Sequence, residues 1–201
     1  MEKQIEDLKA IREMMEKSTK FLSLSGLSGI TAGITAICGA AFAYIYLSQN
    51  QNSLIGSVNK QDIFIITVDA LVVLVLSLFF AFYFSKKNAK KKNQKLFNKA
   101  TVTTIYNLSI PLATGGIFCL IMLYHGYIEL VSASTLIFYG LALVNASKYT
   151  YNEIHYLGIT EVFLGLLAAF FIHKYLFFWV LGFGICHIVY GIIMYNKYDL
   201  K

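Results

Sequence analysis

Charge is scarce in this sequence: only 14% of its residues are Asp, Glu, Lys or Arg, and the 27 positions from Phe21 to Leu47 hold none. A run that long excludes a surface helix of a soluble domain. At about 1.5 Å of rise per residue it crosses a hydrocarbon core of roughly 30 Å with some tilt. Cysteine is sparse too. Cys38, Cys119 and Cys186 are odd in number and sit inside apolar segments, which excludes a disulfide framework and leaves free thiols packed as small hydrophobes. Cys186 beside His187 makes no metal pair, because helix neighbours point about 100° apart and no second Cys/His pair accompanies them. The signatures of common chemistries are missing as well. There is no Ser/His/Asp set, no phosphate-binding glycine loop and no HExxH, so an enzyme is not expected.

What is present is apolar surface in long blocks. The chain is 57% hydrophobic with a mean hydropathy of +0.62, and its 201 residues accommodate about six spans of roughly 20 residues with short connections and no sizeable extramembrane domain. The expected fold is all-α, a polytopic membrane bundle. Its six transmembrane helices are placed at about 21–47, 63–84, 101–124, 133–147, 157–172 and 177–195, the fourth being the shortest. Residues 1–20 balance five basic against five acidic side chains. Ile5, Leu8, Ile11 and Met15 recur there at helical spacing, as in an amphipathic interfacial helix. In the first span Ser25, Gly29, Ala32, Ala36, Gly39 and Ala43 fall on one side, a stripe that lets another helix backbone come close. Pro111, with the Gly115-Gly116 pair, is expected to kink the third span near its middle. Tyr and Trp cluster near span ends, as at a headgroup interface.

The basic residues set an orientation. With the N-terminus inside, 15 of the 17 Lys and Arg side chains fall on the cytoplasmic side, seven of them in residues 85–100, and only Lys60 and Lys174 fall outside. Both termini and the lysine-rich loop are therefore expected in the cytoplasm. Lys86, Lys87, Lys90, Lys91 and Lys92 also suit anionic lipid, at about 1 kcal/mol per Lys near such a surface. No aromatic interleaving accompanies them, so nucleic acid is not expected.

Ionisable groups inside the spans are the candidate functional residues, since each costs several kcal/mol there unless paired, protonated or hydrated. Glu161 shares a helical side with Gly158, Gly165 and Ala168, and His187 lies between Gly184 and Gly191, so both face a close helix neighbour. Counting from the expected span ends puts Glu161 about 6 Å and His187 about 12 Å from the cytoplasmic face. Asn107, Asn145 and Lys148 fall in the same half. The sequence thus predicts an inner-leaflet polar cluster of Asn107, Asn145, Lys148, Glu161 and His187, with Asp69 apart from it in the outer half. As a structural cluster it organises the bundle or its association with itself or another subunit. The alternative is a small proton-linked transporter or permeation protein using Glu161 and His187. A haem or metal reading ranks third, because His125 and His173 near the outer rim and His155 with His187 near the inner one do not face each other at one internal depth. No inverted repeat or paired broken helices mark a typical secondary transporter.

Three stretches, SLSGLSGI at 23–30, YLGITEVFLGLLA at 156–168 and GFGICHIVYGIIMY at 182–195, resemble those of short multi-pass bacterial membrane proteins that carry no established activity. That resemblance implies a bacterial inner (cytoplasmic) membrane and no catalytic residues.

Overall fold

The computed structural model describes residues 24–49, 60–93 and 96–200. The expected amphipathic helix at 1–20 lies outside them. All six spans are helices: α1 (Gly26–Gln49), α2 (Lys60–Lys91), α3 (Lys99–Tyr124), α4 (Ile128–Ala146), α5 (Asn152–Phe170) and α6 (Ile172–Asp199). Each is long and apolar enough to cross a membrane. The protein is therefore an all-α bundle compatible with a multi-pass membrane protein.

Several ends lie beyond the expected ones, and for one reason: polar residues next to an apolar run continue a helix as readily as they leave it. α2 runs on through Ser85 to Lys91, where long lysine stems let the heads reach water. α4 begins at Ile128 and carries Glu129 in its first turn, favourable at the positive end of a helix dipole, so the fourth span is 19 residues long and not stunted. α5 begins at Asn152, five residues early, also with an acid, Glu153, in its first turn. Pro111 does not break α3, which continues from Lys99 to Tyr124.

Helix packing follows the chain. α1 lies between α2 and α6, α5 between α4 and α6, and α3 rests on α4, giving an arc in the order α2, α1, α6, α5, α4, α3. The outermost helices α2 and α3, consecutive in sequence, scarcely touch. α2 is the least covered: its apolar stretch contains no buried residue, and Leu71, Val75, Leu78, Phe79 and Phe82 point outward. Bulky apolar side chains facing out are what a lipid solvent allows. Hydroxyls inside the helices are satisfied locally, as Thr31, Thr104 and Thr160 donate to the carbonyl four residues back.

Glycine sets the close contacts. A Cβ at Gly33 would come within 2.6 Å of the Gly184 carbonyl, and one at Gly191 within 2.6 Å of the Ile30 amide, so α1 and α6 meet backbone to backbone. Gly140 and Gly158 do the same for α4 and α5. The expected α1 stripe is divided between two neighbours: Gly29 faces α6, as do Gly26 and Gly33, which lie outside the stripe, while Gly39 faces Val73 and Asp69 of α2; Ala32 is only half-buried.

Candidate functional site

The polar groups of the bundle fall into two layers. The first is central. Glu161 is 0% exposed and extends from the middle of α5, nine residues after Asn152 and nine before Phe170, or about 13 Å from either end. It stands farther from the start of its helix than the sequence places it, because the helix starts earlier than the apolar run. His187 of α6 is buried with Nδ1 3.3 Å from Glu161 Oε1. The same Nδ1 lies 3.0 Å from the Gly182 carbonyl, and Nε2 lies 2.8 Å from the Tyr139 hydroxyl of α4. A carbonyl only accepts, so Nδ1 carries a proton, and in a neutral ring Nε2 then accepts from Tyr139. Tyr139, His187 and Glu161 thus stand in series, a hydrogen bond and then a 3.3 Å contact, joining α4, α6 and α5.

The backbone of α6 is shaped for this contact. Val180–Cys186 is a π turn, whose extra residue per turn ends immediately before His187. It brings Gly182 against Glu161, where a Cβ would collide with Oε2 and with Leu136. Glu161 is nonetheless under-bonded, since neither oxygen makes a hydrogen bond of good geometry. Apolar side chains close the layer on both sides. Leu136, Ala168 and Phe178 pack toward one face of the bundle; Leu143, Ile154 and Leu157 pack toward the other, with Tyr190 against them. Phe183 stacks on the His187 ring at 5.8 Å.

The rest of the expected cluster lies elsewhere. Asn107 and Asn145 meet each other, and no hydrogen bond among the described residues links them to Glu161 or His187. Proline has no N–H, so Pro111 leaves the Asn107 carbonyl, four residues earlier, without its helical donor. Asn145 Nδ2 supplies one across the α3–α4 contact at 2.8 Å. The Asn107 side chain turns back to Thr103 O at 2.8 Å. Lys148 falls in the 3₁₀ turn Ser147–Tyr149 that follows α4 and is exposed, clear of Glu161 and His187. The place expected for these residues is taken by Tyr139. A phenol in mid-span needs a partner, and that was its only signal in the sequence.

The second layer lies at the lysine-rich face, where the ends of α1, α2, α5 and α6 converge. Asp199 is buried under a π turn, Tyr195–Asp199, that ends α6. Its Oδ2 accepts from Ser25 Oγ at 2.8 Å and from the Gly26 amide at 2.9 Å, so the C-terminal end of the chain caps the first helix. Its Oδ1 accepts from Asn88 Nδ2 at 3.1 Å, and its backbone carbonyl accepts from Lys91 at 2.6 Å. Beside it, Tyr198 stacks on Tyr151 at 4.1 Å between ring centroids and donates to Glu153, which also pairs with Lys197. Lys92 donates to the Tyr151 hydroxyl. Burial holds the Tyr151 phenol above and the Lys92 ammonium below their ordinary ranges; the Asp199 charge adds to the first and opposes the second. Two of the lysines expected at a lipid surface, Lys91 and Lys92, are thus engaged within the fold, while Lys86, Lys87 and Lys90 are exposed.

Among the described residues no three His, Cys, Asp or Glu side chains are placed to hold a metal ion. Compared with protein-family models, with curated proteins and with solved structures, the chain matches none.

Proposed function

We propose that this chain is a non-enzymatic multi-pass protein of a bacterial cytoplasmic membrane whose Tyr139–His187–Glu161 relay fixes how α4, α5 and α6 assemble, and so the surface the bundle offers to another copy or subunit. One observation carries this reading: a carboxyl with no exposure and an imidazole from a different helix meet at 3.3 Å on a glycine that leaves no other room. The apolar clusters on either side support it, since they keep the relay from water. The distribution of Lys and Arg supports cytoplasmic termini. Lys86, Lys87 and Lys90 are then free to hold anionic headgroups.

The test is a double-mutant cycle on Glu161→Gln and His187→Phe, read by reversible unfolding in bicelles. A registering contact gives a coupling of about 1–2 kcal/mol; additive changes argue against it.

A second reading, proton-linked permeation, is favoured by the unused hydrogen-bonding capacity of the Glu161 oxygens. A carboxyl, an imidazole and a phenol in series can share and pass a proton. Liposomes with a pH gradient separate the two: this reading requires a proton flux that Glu161→Gln abolishes, and the first requires none.

A further inference from the structure

Asp69 is an acid that neither polar layer uses. Asp69 projects from α2 toward α1, where its two carboxylate oxygens would stand 3.5 and 3.6 Å from a Cβ placed on Gly39. It is half-buried, and no hydrogen bond to it is found among the described residues. α1 and α2 are clasped on either side of it, by Tyr46 and Asp62 at 3.0 Å and by Thr35 and Ser77 at 3.0 Å. Between these clasps lies a groove of about 300 Å³, lined by Phe42, Phe64, Ile65, Val68, Asp69 and Val72. Phe42 and Phe64 are 50% and 68% exposed, so the groove opens sideways, toward where acyl chains would lie.

We propose that this groove binds a lipophilic cation, an amphiphile with a quaternary or otherwise permanent positive charge that enters from the bilayer. The chemistry follows from the walls. A lone carboxylate at this depth is costly without a counter-charge. Two phenyl rings beside it attract a cation through their faces and its substituents by contact. The remaining walls are aliphatic. A hydrated inorganic ion would lose its water to a surface with only one polar side chain, whereas a cation with an apolar body matches every wall. The volume suits the head of a small molecule rather than the length of a helix face. The site lies on α1 and α2 and is independent of the relay.

The experiment uses the full chain in nanodiscs and tritiated tetraphenylphosphonium as probe, with triphenylphosphine oxide as an uncharged competitor of similar shape. Saturable binding is expected, displaced poorly by the neutral compound. Asp69→Asn should weaken it about tenfold or more, Asp69→Glu should retain it, and Phe64→Leu should weaken it several-fold. Gel filtration of each variant confirms that the fold is intact. Binding of tetraphenylphosphonium that Asp69→Asn leaves unchanged, or that the neutral competitor displaces equally well, overturns the proposal. So does an absence of binding accompanied by an oligomer that Asp69→Asn dissolves, since the groove would then hold a basic residue of another helix.

Discussion

Replacing Asn145 by Ala tests whether a proline in mid-membrane is tolerated because a neighbouring helix repairs its backbone. Pro111 cannot donate to the Asn107 carbonyl, and Asn145 Nδ2 does so at 2.8 Å. Removing that amide leaves a half-buried carbonyl without its donor, a loss of up to about 1–3 kcal/mol by general hydrogen-bond accounting. Interhelical bonds in membranes average nearer 0.6 kcal/mol because the unfolded chain also finds partners. About 1–2 kcal/mol is therefore expected for Asn145→Ala. The diagnostic comparison is with Pro111→Ala, which restores an N–H within α3. In that background Asn145→Ala should cost no more than about 0.5 kcal/mol, since the carbonyl is already satisfied. Reversible unfolding in bicelles or steric trapping measures all four proteins. An equal cost in both backgrounds would refute the repair, leaving Asn145 only as packing between α3 and α4.

Three shorter predictions concern other contacts. The adjacent glycines of α3 should behave oppositely: Gly115→Ala drives a methyl into Phe138 and should cost about 1–3 kcal/mol, whereas Gly116→Ala meets nothing within 4 Å and should be neutral or stabilise by up to about 1 kcal/mol, both read by thermal melting. Asp199→Ala removes the cap of α1 and should destabilise by about 1 kcal/mol, with faster hydrogen exchange at the Gly26 amide. Lys148→Ala should change stability by less than about 0.5 kcal/mol, because the exposed side chain has no part in the relay.

The spans were legible because lipid imposes one requirement, some twenty apolar residues satisfying their own backbone bonds, and the sequence shows it six times. That Glu161 and His187 are covered by neighbouring helices was legible for a related reason, since glycines at three- and four-residue spacing mark the side of a helix that a neighbour touches. Those glycines pack on other helices, Gly158 and Gly165 on α4 and Gly184 and Gly191 on α1, so the pairing itself rested only on the need of an ionisable group in a span for a partner. The start of α5 was not legible, because Asn152 and Glu153 look like a loop when only hydropathy is counted, yet they form a favourable first turn. Tyr139 does not stand out in the sequence, being one of fourteen tyrosines, most of which read as interfacial. The π turns of α6 leave no local trace, since they are selected by what Gly182 and Asp199 touch on other helices. The Asp199 cap joins residues 174 positions apart from Ser25, a distance over which composition and periodicity carry no information.

The central claim is that Tyr139 hydrogen-bonds His187 and that His187 in turn lies against the Glu161 carboxyl, and nitrogen NMR of protein labelled at histidine tests it most directly. A proton on Nδ1 and an accepting Nε2 are expected at His187, with Glu161→Gln shifting the Nδ1 resonance and Tyr139→Phe shifting Nε2. A His187 ring that ignores both substitutions, or exchanges its protons as freely as the exposed histidines, would contradict the account.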